Sequence, residues 1–406
     1  MRSLPTRFRA RAQCVSWDGE KRQRVPSRLV GLHYRCLRGG RICLARRTGA
    51  CAGFGDESYL DGVAQPGAGC DSCRVRVETL EGDALCLEHF TIVFMAELPL
   101  VDLVGVGLNA TDTLIPLANY PERGSKVEYS QASILPGGQT ASAVIACQTW
   151  GLNTRYVGKL GDDDAARLHR REFERAGVDA RVLTVENAAS PQSLIVVDGG
   201  GERTVLCRRD ERLLLQPADL ERGWIVNARA LLVDGFETAA ATVAADWANS
   251  AGIPVIADLD ELYPGVEDLI DTIDYLIVSR DFPTRLTGER HLEQALRLMK
   301  SRYGCTVTAA TLGQDGVLAW DGSRFHLRPA YCVPVADTTG AGDVFHAGFI
   351  YGLLQGWPLA RQLDFACAAA ALNCTATGAR GGIGPIEEVE KLMTTAPRYA
   401  VAPAAD

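Results

Sequence analysis

Asp337-Thr338-Thr339-Gly340-Ala341-Gly342-Asp343 runs directly into Val344-Phe345-His346-Ala347-Gly348-Phe349-Ile350, and this stretch decides the reading of the chain. A turn of small residues opens onto Val344, Phe345, Phe349, Ile350, Leu353 and Leu354, spaced for one helical face. Gly340, Ala341 and Gly342 therefore fall at a helix N-terminus, where unpaired N–H groups and the positive dipole end attract an anion. Small side chains let the backbone approach that anion closely. Asp343 projects from the first turn. An anion cradle beside a carboxylate is what phosphoryl transfer to a hydroxyl needs: charge stabilisation in place, and a proton acceptor.

The seven-residue string resembles the C-terminal signature of the ribokinase-like (pfkB-type) carbohydrate kinases, and the resemblance covers about residues 100 to 395. It implies that Asp343 is the catalytic base, that Gly340, Ala341 and Gly342 form the anion hole, and that Thr338 lies against the nucleotide. ATP would be the donor, with Mg2+ arriving on its phosphates. The implied fold is α/β, a central mainly parallel sheet flanked by helices with a small β lid. An ordinary Asp near pKa ~3.9 is a weak base for an alcohol, which predicts late proton transfer.

The pattern along the chain agrees. Val101–Val106, Thr154–Val157, Ala230–Val233, Pro254–Ala257, Tyr275–Val278 and Thr306–Ala309 read as strands. Helical stretches fall between many of them, at Thr140–Thr149, Asp164–Ala176, Ala239–Ser250 and His291–Arg302, followed by Gly340–Leu354, Leu359–Thr375 and Glu387–Thr394. That alternation predicts a parallel sheet covered on both faces. Lys126–Ile134 and Ser193–Arg208 are β-rich without crossover helices and predict a small antiparallel sheet, the expected lid, from about 113–136 and 193–209.

Substrate contacts are expected at two places. Asp112 is placed to accept hydrogen bonds from adjacent sugar hydroxyls, and the resemblance puts a hydroxyl-binding Asp there, with Asn109 as second contact. Pro136-Gly137-Gly138-Gln139-Thr140-Ala141-Ser142 resembles the family's N-terminal glycine pair, so Gly137 and Gly138 would bring amides to the sugar and hinge the lid. Gln139 stands where Lys is common and Ser142 where Asn is, departures from ribokinase itself. Gly105-Val106-Gly107-Leu108-Asn109-Ala110 matches a dinucleotide fingerprint on paper, but Pro116, Pro121 and Gly124 forbid the helix it requires.

The nucleotide and metal expectations are thinner. Thr311-Leu312-Gly313-Gln314-Asp315-Gly316 resembles the family's nucleotide turn, placing Thr311 and Gly313 on the phosphates or ribose. The family's Asn-x-x-Glu, which organises magnesium-bound water, falls on Ser279-Arg280-Asp281-Phe282 and is missing; Asp281 is the substitute expected to hold Mg2+ through water. By resemblance Asp337 and Thr339, with carbonyls from Asn373 to Gly382, would hold a monovalent cation such as K+. Gly158-Lys159-Leu160-Gly161-Asp162-Asp163 reads as packing.

Of 406 residues, 47% are apolar and 23% charged, ordinary for a globular enzyme. Residues 1–94 carry 14 Arg, one Lys and 10 acidic residues, a formal +5, which leaves −13 of the total −8 for residues 95–406. Cys70-x2-Cys73, then twelve residues, then Cys86-x2-His89 has the spacing of a structural zinc site; chance pairing in a Cys-rich stretch is the competing explanation. A third is that the segment is leader translated from a start set before Met95, its Arg preference fitting GC-rich DNA. Nothing in it points to nucleic acid. The later cysteines look like small buried apolar residues in a reducing cytoplasm. A small-molecule sugar is the expected partner, a nucleoside the rival acceptor, a sugar-sensing relic the non-catalytic rival, and a homodimer through the lid the expected assembly.

Overall fold

The computed structural model describes residues 100–199 and 203–400 and, for backbone only, 42–46 and 76–80. The chain divides into two units, Met1–Glu97 and Leu98–Asp406. In the first, β1 (Ile42–Arg46) pairs antiparallel with β2 (Arg76–Leu80). That overlaps the strand expected between the cysteine pairs; Cys70, Cys73, Cys86 and His89 lie outside the described residues.

The second unit is built on β3 (Val101–Val106), β6 (Thr154–Leu160), β7 (Asp179–Thr184), β10 (Ala228–Asp234), β11 (Val255–Leu259), β12 (Tyr275–Ser279), β13 (Val307–Thr311), β14 (Val317–Trp320) and β15 (Phe325–Arg328). These strands form one sheet in the order β15-β14-β13-β12-β11-β10-β3-β6-β7, parallel from β7 to β13 and closed by an antiparallel edge. Alternation within strands splits the core. Val104, Val106, Leu231 and Val233 face α4 (Thr238–Ser250), α5 (Val266–Ile270), α6 (Phe282–Thr287) and α7 (Leu292–Tyr303). Leu103, Ala230 and Leu232 face α1 (Gln139–Thr149), α8 (Ala341–Leu354), α9 (Leu359–Asn373) and α10 (Ile386–Thr395). Among the described residues no helix is long and apolar enough to cross a membrane.

A second sheet takes the order β5-β4-β8-β9, from β4 (Ala110–Pro116), β5 (Ser133–Gly137), β8 (Gln192–Val197) and β9 (Arg203–Arg208). Two expectations change here. The central pair β4–β8 is parallel, so the sheet is not purely antiparallel. Of Lys126–Ile134 only its last two residues join a strand, while Ala110–Pro116 forms a strand that the sequence pattern did not mark. Its Ala-Thr-Asp-Thr-Leu-Ile alternation suits a two-faced ladder, and pairing on both sides draws it off the main sheet.

Between the main-sheet strands β6 and β7 runs α2 (Asp164–Ala176), where Asp163 is the N-cap and accepts from Ala166 N–H at 3.0 Å. The same carboxylate accepts from the amide and hydroxyl of Ser190 at 2.9 and 2.6 Å, fastening the connection into β8. These bonds hold the Asp163 carboxyl below the usual range despite the opposing effect of burial. A depressed carboxylate pKa stabilises the fold at neutral pH and loses that contribution as pH falls through the folded value. Asp163→Ala is expected to cost about 1–3 kcal/mol of unfolding free energy in urea titrations at pH 7, and less at pH 3.

Candidate active site

The strand order reverses between β3 and β10, and open α/β sheets gather ligands outside the carboxyl ends of strands at such a point. The residues that follow these two strands are stitched together. Asp234, at the end of β10, accepts from Leu108 N–H at 2.6 Å and from the Thr140 hydroxyl at 2.8 Å. Burial pushes its carboxyl up to about 6, against those bonds. Asp234 thus clamps the segment that leaves β3 to the start of α1.

Helix α8 begins at the same rim. Gly340 is its N-cap at φ 75°, a left-handed backbone, and a side chain there would collide with Ala379. Ala341 N–H reaches Thr338 O at 3.3 Å and Val344 N–H reaches Gly340 O at 3.0 Å, leaving the Gly342 and Asp343 amides at the open end. The helix is anchored from beneath by His346, whose Nδ1 lies 2.8 Å from Gly342 O and 3.2 Å from an Asp258 oxygen, and whose Nε2 lies 3.2 Å from Ile277 O. Burial lowers the His346 pKa and raises that of Asp258 well above normal, so both are disfavoured as ions.

Asp343 is no ordinary carboxylate. Burial first, and then the neighbouring Asp258, push its pKa up to about 7; His346, a hydrogen bond with Ser142 and the charge of Arg380 work the other way. The sequence reading assumed an unshifted Asp, and desolvation overturns that assumption. A carboxylate titrating near neutrality is matched to general-base work.

The expected substrate residues converge. Asn109 is 2% exposed, and its Nδ2 has no hydrogen-bond partner. Asp112 lies inside β4, not at the end of a main-sheet strand; burial raises it to about 6, while Ser193 and Arg380 oppose the shift. Gly137 pairs with Ala110 across β4–β5, and a side chain on Gly137 would strike the Asp112 carboxyl. A side chain on Gly138, at φ 94°, would meet the Asn109 backbone.

Sequence reasoning missed the residue that joins these parts. Arg380 donates from its NH2 group to Gly137 O at 2.6 Å and to Asn109 Oδ1 at 3.4 Å, from Nε to Ser142 Oγ at 3.1 Å, and from NH1 to Glu172. Its side chain is 5% exposed. The stretch Asn373–Gly382 had drawn notice only for small residues and carbonyls, and an Arg among glycines gives no periodic signal.

The remaining expected residues are placed around the rim. Asp337 Oδ1 accepts from the Thr339 amide and hydroxyl at 2.9 and 2.8 Å, and Oδ2 from Gly378 N–H at 2.9 Å. Asn373 Nδ2 donates to Thr339 O at 3.3 Å. These bonds brace the two loops around Asp337. Thr311 ends β13 with its hydroxyl 3.3 Å from Val278 O, Gly313 has φ 61° with open space around its Cα, and Thr338 is exposed. Asp281 is exposed at the start of α6 and makes no cap bond, while Phe282, where the missing Glu would fall, is fully buried core. Arg280 is taken by Asp315 at 2.6 Å.

The pfkB family carbohydrate kinase profile matches residues 98–384. The chain belongs to the pfkB family of carbohydrate kinases. It is 25% identical over 282 residues to 5-dehydro-2-deoxygluconokinase of Geobacillus kaustophilus, covering 63% of this chain and 84% of that protein. It is 30% identical over 267 residues to aminoimidazole riboside kinase of Salmonella typhimurium, 60% and 83% of the two chains. The structure of Arabidopsis thaliana ribokinase complexed with ribose and ATP superimposes with a TM-score of 0.63 at 25% identity, over 73% and 99% of the two chains. The enzyme is thus a carbohydrate kinase of ribokinase fold.

Gly342 offers a direct check of the anion cradle, because a Cβ added there meets no protein atom within 4 Å. Gly342→Ala is expected to leave the melting temperature unchanged or raised, since Ala favours a helix by about 1 kcal/mol. Turnover with ATP is expected to fall about 100-fold, because the methyl group fills the space in front of the amides. Turnover unchanged at saturating substrate would remove the cradle from Gly342.

Proposed function

We propose that residues 95–406 transfer the γ-phosphoryl group of ATP to a hydroxyl of a sugar, with Asp343 as base and the Gly340-Ala341-Gly342 turn as anion hole, its open amides those of Gly342 and Asp343. The observation that carries this reading is Asp343 itself: a carboxyl with pKa near 7, in the first turn of a helix whose open amides lie beside it. Asn109, Asp112, Gly137 and Gly138 bind the acceptor, and the β5-β4-β8-β9 sheet is the lid over it. The unpartnered Asn109 amide supplies a donor that a sugar hydroxyl completes. The acceptor hydroxyl gives its proton to Asp343 as phosphorus is transferred, and the amides meet the charge on the migrating group. Thr311, Gly313 and Thr338 line the nucleotide side. Asp281, uncapped and exposed, is the residue we place against Mg2+ through water; the ion, when bound, neutralises phosphate charge. No step requires K+.

A nucleoside acceptor is the second reading. A base-stacking wall at the lid would fall to Tyr120, Tyr129 and Ile134, which are 54%, 58% and 65% exposed. Phe236 and Tyr263, with ring centroids 6.2 Å apart, instead offer stacking surface just beyond β10 and β11. A phosphorylation screen of free pentoses, free hexoses and nucleosides separates the two readings.

Asp343→Asn is expected to bind ATP normally and lose at least about 1,000-fold in turnover. Wild-type kcat/KM should fall tenfold per unit as pH drops below about 7, where the raised carboxyl takes up its proton. Burial of this charge costs stability above that pH, so the Asn variant should also melt higher at pH 8. Near-normal turnover in Asp343→Asn ends the base assignment.

The lid also carries the dimer proposal. Ile134 and Leu206, 65% and 56% exposed, share one register row with Thr113 and Leu194, on the face opposite Asp112 and Ser193. Sedimentation should give a dimer for the wild type and a lighter species for Ile134→Asp; a wild-type monomer at micromolar concentration refutes it.

A further inference from the structure

The chain passes between the main body and the small sheet four times, and two of these crossings, at Gly107–Asn109 before β4 and at Gly138 after β5, lie beside Asn109 and Gly137. Arg380 comes from neither element, yet its guanidinium grips both crossings. It holds the side chain of Asn109 at the first and the carbonyl of Gly137 at the second. The same group donates to Ser142 Oγ at 3.1 Å, and Ser142 lies beside Asp343, where it lowers the carboxyl's pKa. Its remaining edge is matched by Glu172 of α2.

We propose that Arg380 is a positioning residue for phosphoryl transfer, a latch that ties two of the small sheet's hinges, at Asn109 and Gly137, to the Ser142 hydroxyl beside Asp343. The inference rests on the reading of Asp343 as base. A planar fork with five N–H donors in fixed directions reaches four partners on four segments at once; an ammonium cannot. Movement of the small sheet over an acceptor shifts Asn109 and Gly137, and the latch transmits that shift to Ser142. Acceptor seating and base alignment are thereby coupled through one side chain.

Charge works in the same direction. Asp343 faces Asp258 from β11, His346 from its own helix, Ser142 from α1 and Arg380 from the C-terminal loop. Arg380 in turn faces Glu172 and His169 from α2, Asp112 from β4, Tyr156 from β6 and Asp343 from α8. Burial and Arg380 hold His169 neutral, at about 3, and Tyr156 is raised well above its ordinary value, so neither is charged near neutrality. Arg380 is thus one of the groups, after His346 and Ser142, that keep Asp343 from rising further. Removing it raises the base's pKa; removing Glu172 frees its charge and lowers it.

A buried ion pair is weak evidence for anything but itself, so the test must separate a latch from a brace. Full-length Arg380→Gln, Arg380→Lys and Glu172→Gln are compared with wild type on the best acceptor of the pentose, hexose and nucleoside panel, after circular dichroism confirms folding. Arg380→Gln should lose about 100-fold in kcat/KM for the acceptor, with KM for ATP unchanged, because misplacing reacting groups by an ångström costs that much. Its acid limb should move up by about one pH unit. Added guanidinium ion should restore part of the loss. Arg380→Lys keeps the charge and loses the fork, so its limb should stay while acceptor kcat/KM falls. In Glu172→Gln the limb should move down. A lower melting temperature in Arg380→Gln, with acceptor kcat/KM and acid limb both at wild-type values, overturns the latch. So does a shift of the same sign in Arg380→Gln and Glu172→Gln. Asp343→Asn, run beside them, isolates the parent reading: if it stays active the base assignment falls, whereas an inactive Asp343→Asn with an indifferent Arg380→Gln refutes the latch alone.

Discussion

The proposed base role of Asp343 depends on its partial loss of water at the N-terminus of α8. A carboxyl in solvent would titrate far below neutrality and accept an alcohol's proton poorly. Beside Asp258 and beneath the cleft it titrates near 7. The shift is an energetic cost to the fold, because the charged form is the one that burial disfavours. It is offset by the two hydrophobic layers that close the nine-stranded sheet on both faces. A small or loosely packed domain could not hold such a group at the mouth of a helix.

The position of that helix follows from the same packing. Residues Val344 to Ile350 are all buried, so α8 has no solvent face beyond its first turn and its direction is set by α1, α9 and the sheet. His346 fixes the height, with one nitrogen on Ile277 O of β12 and the other between Gly342 O and Asp258. The amide end can only open toward the carboxyl edge of the strands. Because β3 and β10 diverge there, the crossings into the small sheet fall beside it, and Asp234 holds them. Chemistry and hinge are neighbours because the strand order makes them so.

The repeating physics was legible in the sequence. Six of the main-sheet strands and the helices at Asp164–Ala176 and Leu359–Asn373 follow from apolar periodicity, and β3 agrees to the residue. The small sheet was legible as β-rich patches but not in its pairing, because partner choice between β4 and β8 is a tertiary matter that local pattern does not encode. At the site, residue types with helix-end or glycine signatures were readable: Gly340 to Asp343, Gly137 and Gly138. Side chains whose role depends on distant neighbours were not. Asp234, Asp258, Glu172 and Arg380 occupy strand ends, a helix face and a loop with nothing local to mark them. The Asp343 shift was unreadable for a related reason: it is caused by burial and by Asp258, eighty-odd residues away in sequence.

The departures at the N-terminal glycine pair make sense once Arg380 is in view. Gln139 stands where Lys is common and Ser142 where Asn is, which taken alone reads as erosion of the acceptor site. A Lys at the start of α1 would set a positive charge on the same rim that Arg380 reaches from the opposite side. Gln139 instead lies against Asp260, whose raised pKa its side chain opposes. The shorter Ser142 side chain fits the same arrangement: its hydroxyl accepts from Arg380 Nε and can donate to Asp343, a relay through one atom. The three residues behave as one solution to a single problem, holding a carboxyl ionisable in a dry cleft while keeping the lid hinges registered to it.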